Sequence, residues 1–398
     1  MGEQRYEAEA GERADAPAVH WTENGTERSA RWRSHNGARP PSRVRVVDDR
    51  ITADAAYKLA CEGTALLWRG DYHGAVQLLG ALTRRLDRKR RRPPAPDSGP
   101  AQLFHQHRAA QAQRARILGM LLVPLDADHQ VPLRRAPGVA EACHEAYGPP
   151  EGESLVSLRE LRGLVGAHEW RRRGVPVPAL DGDRVHPHYG VFSPQRGEYV
   201  DLVAEAPLTG LPDRPDRCRA VDVGTGTGVL AAVLARRGLG RVLATDQDPV
   251  ALDCARDNLG RLGLADTVEV VRADLVPAGE RAALVVCNPP WVPAKPTSAV
   301  EHAVYDPGSR MLRGYLTRLT GHLEPGGEGW LILSDLAEHL GLRTRDQLLG
   351  WIGDAGLEVV DRLDRRPTHA RASDPDDPLH RARSAEVTSL WRLRAADR

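Results

Sequence analysis

The run Ala282-Ala283-Leu284-Val285-Val286-Cys287 is apolar without alternation and stops at Asn288-Pro289-Pro290-Trp291. Such a run predicts a strand buried on both faces, as in a parallel sheet. Two consecutive prolines fix φ and donate no N–H, so the ladder ends there. Upstream, Ala220-Val221-Asp222-Val223 is a second short strand leading into Gly224-Thr225-Gly226-Thr227-Gly228. Val229 to Ala235 then predicts a helix with Gly238 as its C-cap. Arg241-Val242-Leu243-Ala244-Thr245 is the next strand, with Asp246 at its end. Asp248 and Pro249 make an N-cap and N1 pair opening a helix whose one face carries Ala251, Ala255, Leu259 and Leu262. A third strand, Val268 to Arg272, delivers Asp274 to the same edge. Beyond the proline corner the pattern predicts a helix over Met311–Leu323, a strand over Gly329–Asp335, a helix over Thr344–Ala355 and strands over Leu357–Val360 and Glu386–Leu393. Strands alternating with helices predict an α/β doubly wound sheet, with polar residues gathered at the strand ends where such sheets hold ligands.

The N-terminal part reads differently. Residues 1–48 lack sustained periodicity and read as a disordered tail. Residues 49–184 read as a smaller, mostly helical domain, a candidate for substrate recognition. Within it, Ala55, Leu59, Ala60 and Ala65-Leu66-Leu67-Trp68 precede a Gly70-Asp71 break, and Ala75 to Leu82 follow it, as in a helical hairpin. Further helices are expected over 101–125 and Leu155–Trp170. Arg84 to Arg92 holds seven basic residues in nine positions and runs into the proline-rich stretch 93–100, a linker or exposed loop.

Composition narrows the function classes. A chain of 398 residues with 41% hydrophobic content has room for two packed domains. No stretch approaches the roughly 20 apolar residues of a membrane span, and Met1 to Ala18 is polar and acidic rather than signal-like. Five cysteines without C-x-x-C spacing suit reduced packing residues in a cytoplasmic protein. His105 and His107 have no acidic or cysteine cluster beside them, so no metal site is expected. The net charge of +1 provides no global attraction to nucleic acid, and positive charge is local and almost wholly arginine.

The ordered set Val221 to Gly228, Asp246, Asp248 to Asn258, Asp274 and Asn288-Pro289-Pro290-Trp291 resembles the motifs of class I S-adenosylmethionine-dependent methyltransferases. Within that class it resembles the small-domain group that methylates nitrogen: release-factor glutamine, ribosomal-RNA guanine-N2 and adenine-N6 methyltransferases. The resemblance covers roughly residues 185–395, within a domain read as 185–398, and implies a seven-stranded Rossmann-like sheet with an antiparallel last strand. It implies S-adenosyl-L-methionine as cofactor, held by Asp222, Gly224, Thr225, Gly226, Gly228, Asp246, Gln247, Asp274 and Asn288. Asp222 is expected at the methionine part, Asp246 at the ribose and Asp274 at the adenine. Asn288, Pro289, Pro290 and Trp291 are the expected catalytic residues. Asn288 and the Pro289 carbonyl accept from a planar –NH2, and Trp291 stacks on its plane. In the resembling family a Pro-Arg turn ahead of the first strand covers the methionine end, and Ser193-Pro194-Gln195-Arg196-Gly197-Glu198 is similar with one extra residue.

The acceptor stays open between protein glutamine, guanine, adenine and a small molecule, with RNA or a translation-related protein preferred for the arginine-rich N-terminal segment. A nucleotide-dependent oxidoreductase is the rival enzyme class. Val229 stands where the dinucleotide fingerprint needs its third glycine, which counts against it. A non-catalytic RNA-binding protein on the same fold is the other alternative. Oligomeric state is not legible.

Overall fold

The computed structural model describes residues 17–89, 99–208, 215–296, 300–368 and 374–396. The chain divides into two compact units, one of residues 1–91 and 113–165, the other of residues 92–112 and 166–398.

The first unit is built on a six-stranded mixed sheet. Its strands are β1 (Ala18–Glu23), β2 (Thr26–Arg33), β3 (Val44–Val47), β4 (Ala65–Trp68), β5 (Leu121–Leu125) and β6 (Ser154–Ser157), in the order β1-β2-β6-β5-β4-β3. Helices α1 (Ala53–Cys61), α2 (Tyr72–Lys89) and α4 (Ala140–Tyr147) belong to it, and α3 (Pro100–Leu118) and α5 (Leu158–Arg173) have residues in both units.

This corrects the reading of residues 1–48 as a disordered tail. Three strands lie within it, and Val19, Trp21 and Trp32 are buried with Leu67, Leu122 and Leu155. Residues 1–16 lie outside the described residues, as do 90–98 of the basic and proline-rich run and 369–373 between the last two predicted strands. The helical domain has its helices, but a sheet runs among them. Ala65–Trp68, Leu121–Leu125 and Ser154–Ser157 are buried along their whole length. Strands of that kind show no alternation, so pattern alone merges them with the adjoining helices. Gly63, at φ +80°, separates α1 from β4.

The second unit holds the predicted doubly wound sheet. Its strands are β9 (Arg219–Val223), β10 (Arg241–Asp246), β11 (Val268–Arg272), β12 (Ala282–Cys287), β13 (Leu323–Ser334), β14 (Leu357–Arg365) and β15 (Thr388–Ala395), after a small hairpin of β7 (Val175–Pro176) and β8 (Arg184–Val185). The order is β11-β10-β9-β12-β13-β15-β14, with β15 antiparallel to both neighbours. The seven strands with an antiparallel last strand match the expectation.

Alternation along the strands decides what faces what. Ala220, Leu284 and Val286 pack with α6 (Glu198–Glu205), α7 (Val229–Arg236) and α8 (Pro249–Arg261). Val221, Val223, Val285 and Cys287 pack with α9 (Arg310–His322) and α10 (Arg345–Asp354) on the other face. The chain leaves β9 towards β10 on one side and returns to β12 on the other. The crevice at the carboxyl ends of β9 and β12 is therefore the topological switch point, where open α/β sheets bind ligands.

Candidate active site

Three left-handed glycines shape the turn after β9: Gly224, Gly226 and Gly228 have φ of +72°, +54° and +80°. Side chains would be strained at all three. A Cβ on Gly224 would also meet Met311 Cε at 2.6 Å, so the turn lies close beneath the start of α9. Asp246, at the end of β10, accepts from Gly226 N at 3.1 Å and from Asp248 N at 3.0 Å. Its carboxylate thus ties the glycine turn to the start of α8, where Asp248 caps through Val250 N at 2.9 Å. Burial raises the Asp246 pKa. Asn258, buried in α8, donates to Thr227 O at 3.0 Å and accepts from His186 N at 2.7 Å. It staples the glycine turn to the segment preceding α6.

At the end of β12 the proline corner turns Asn288 and Trp291 towards each other, and the indole Nε1 donates to Asn288 Oδ1 at 2.8 Å. The Arg196 guanidinium lies 5.1 Å from the centre of the Trp291 ring. Arg196 is clamped by Glu198 at 2.9 Å and Glu386 at 3.0 Å, and Glu386 also accepts from Ser334 Oγ at 2.7 Å. Both glutamates are buried. The loop before α6, the end of β13 and the lead into β15 therefore converge on one indole. A fixed cation on the indole leaves less of its surface for a substrate than the stacking expectation assumed.

These groups open on one cavity of about 900 Å³. Gly224, Thr225, Gly226, Asp246, Gln247, Asn288, Pro289, Pro290 and Trp291 all line it. Three predicted site residues do not. Asp222 alternates with Val221 and Val223, so its carboxylate lies under α7, accepting from Thr225 Oγ1 at 2.7 Å and Ala231 N at 3.1 Å. Burial pushes its pKa up to about 6. Gly228 begins α7 and packs on Ala255. Asp274 is exposed, accepting from Gln247 Nε2 at 2.5 Å and paired with Arg318 at 3.4 Å, while its neighbours Ala273 and Leu275 line the cavity. Asp222 and Asp274 therefore do not line the cavity: the first is buried beneath α7 and the second is exposed beside it.

Other lining residues were missed by pattern, among them Phe104, Tyr305, Met311, Leu336 and Leu379. One signal was available. The chain has two phenylalanines, Phe104 and Phe192, and both line this cavity. Among the described residues there is no metal-ligand cluster and no helix long and apolar enough to cross a membrane.

Comparison with known proteins bears on the same region. Residues 183–339 match the family model of the methyltransferase small domain. A release factor glutamine methyltransferase of Xylella fastidiosa is 31% identical over 244 residues, covering 56% of this chain and 86% of the relative. A ribosomal protein L11 methyltransferase of Symbiobacterium thermophilum is 35% identical over 136 residues, covering 31% of this chain and 44% of that protein. Against this and two further relatives the chain spans only about half of their length, 44% to 58%. Among solved structures, an S-adenosylmethionine-dependent methyltransferase from Thiobacillus denitrificans, in complex with S-adenosyl-L-homocysteine, is 17% identical. It has a TM-score of 0.35 and covers 52% of this chain and 94% of its own.

Proposed function

We propose, for a chain that belongs to the methyltransferase small domain family of class I S-adenosylmethionine-dependent methyltransferases, that it methylates a planar amide or exocyclic amino nitrogen. The observation that carries this reading is the Asn288–Trp291 corner opening on the same cavity as the glycine turn and Asp246. The acceptor is carried by RNA or by a translation-related protein. The relatives named for a release factor and for ribosomal protein L11 support that preference.

The residues present fit the cofactor. Gly224 and Gly226 present bare backbone to the cavity, and the Asp246 carboxylate on its wall can accept from ribose hydroxyls. Gln247 stands beside it on the same wall, with Ala273 and Leu275 offering an apolar surface for a base. S-adenosylmethionine supplies a methyl group on a sulfonium, already activated towards a nitrogen lone pair.

The chain's work is then alignment. Orienting a nucleophile correctly can contribute ~7–11 kcal/mol through effective concentration. An amide or ring amine is a poor nucleophile because its lone pair is delocalised. Asn288 Oδ1 keeps one lone pair beyond that given to Trp291, and with the Pro289 carbonyl it accepts from the –NH2. Two acceptors there favour a tetrahedral nitrogen and stabilise the positive charge developing on it. The proton leaves to water after transfer, so no general base is required.

The test has two arms. Calorimetry should find binding of S-adenosylhomocysteine and none of NAD; the reverse would assign the cavity to an oxidoreductase. Labelled cofactor with cell lysate should leave label that either nuclease or protease removes. Label resistant to both would move the acceptor to a small molecule.

A further inference from the structure

The cavity on which the Asn288–Trp291 corner opens is also lined by Phe104, Val292, Tyr305, Leu336, Leu340 and Leu379, which pack as one apolar cluster. Five of these follow β12 in the chain. Phe104 comes from the first part of α3, outside residues 183–339 that match the family model. It is 2% exposed, and its ring centre lies 6.3 Å from that of Tyr305, within the range of interacting aromatic pairs.

One turn further along α3, Arg108 holds the facing wall in place. Its guanidinium stacks 4.0 Å from the Tyr305 ring centre, pairs with Glu301 at 2.9 Å and donates to Lys295 O at 2.7 Å. Those three partners belong to the loop that starts at the proline corner and folds back where Asp306 N bonds Val292 O at 3.0 Å. A planar fork reaching three partners suits arginine, and a lysine would keep only the charge.

This stretch of the lining is apolar, with Glu301, His302 and Arg383 as its polar neighbours on the same cavity. A glutamine side chain brings its own peptide groups close behind it, and burying those without partners is costly. A flat ring bearing an amine carries its polar nitrogens only at the edge and gains by packing its apolar faces on Phe104 and Tyr305. On the reading that this is a nitrogen methyltransferase, we propose that Phe104 is a specificity-determining residue of the acceptor site. Arg108 positions Tyr305 opposite it, and the cavity takes the acceptor nitrogen on an aromatic ring rather than on a carboxamide.

The experiment uses the full chain saturated with S-adenosylhomocysteine and 2-aminopurine, a fluorescent aromatic amine, as probe. Quenching should report binding that N-acetylglutaminamide at equal concentration does not displace. Phe104→Ala should weaken the probe by about tenfold or more, as loss of a buried ring contact implies. Phe104→Leu should recover part of this, and Arg108→Lys should weaken the probe severalfold. Affinity for S-adenosylhomocysteine should stay at the wild-type value in each, which separates an acceptor wall from general loss of packing. If Phe104→Ala does not fold, Phe104→Leu and Arg108→Lys decide. The proposal is overturned if the wild type does not quench the probe, if the glutaminamide displaces it, or if those two variants bind it as the wild type does. Failure of the wild type to bind S-adenosylhomocysteine would instead remove the methyltransferase reading.

Discussion

Asn288 Oδ1 is shared between a structural donor, the Trp291 indole, and the nitrogen it is proposed to serve. The two roles give different forecasts. Asn288→Ala should lower turnover by ~10²–10³, the scale for losing one preorganised group where charge develops. Its S-adenosylhomocysteine affinity should stay near the wild-type value in calorimetry. Trp291→Phe keeps an aromatic ring but removes the N–H that fixes the carboxamide. A net hydrogen bond of ~0.5–1.5 kcal/mol predicts a twofold to tenfold loss in kcat. Full wild-type turnover in that variant would show that the ring alone suffices. Asp222 provides a pH test. Its pKa, pushed up to about 6, makes the folded state hold a proton that the unfolded state releases. Stability from this group therefore falls as pH rises from the usual carboxylate range to about 6, and the penalty is complete above that. Asp222→Asn removes the titration. Its melting temperature relative to wild type should rise from pH 4 to pH 7, by the equivalent of at most about 3 kcal/mol. A difference that is flat with pH would mean that the carboxylate titrates normally.

At the scale of elements, the strands of the first unit carry the forecast. Deleting residues 1–48 removes β1, β2 and β3, and with them the partners of both exposed flanks of the remaining strands. It also uncovers Leu67, Leu122 and Leu155, which pack against Val19, Trp21 and Trp32. Unpaired edges and exposed core of this kind should abolish the cooperative unfolding of that unit in scanning calorimetry and promote aggregation. Among the described residues none that lines the cavity lies in the deleted segment, so S-adenosylhomocysteine affinity should persist. An unchanged calorimetric trace would return the segment to the status of a tail.

For the molecule as a whole, a ligand that binds only the folded second unit should stabilise it by mass action. At a hundredfold excess over Kd, S-adenosylhomocysteine should add ~2.7 kcal/mol to that unit's stability. The shift should be visible as a raised melting temperature that NAD does not reproduce. No shift at saturating ligand would deny the cavity its cofactor.

The sequence by itself determined the sheet of the second unit and most of the residues that gather on its cavity. Strand β12 runs Ala282–Cys287 as read, and Asp248 caps α8 as read. Glycine, proline and capping residues act through local backbone geometry, and a run of six apolar residues needs no partner to declare itself. Tertiary structure decided what depended on contacts distant in sequence. It merged β4, β5 and β6 into a sheet where pattern showed helix, because strands buried on both faces carry no periodicity of their own. It turned Asp222 under α7, since the parity of a strand has meaning only once its faces are covered. And it brought Phe104 and Arg108 to Tyr305 across about 200 residues of chain. No local preference encodes that approach; only the packed core selects it.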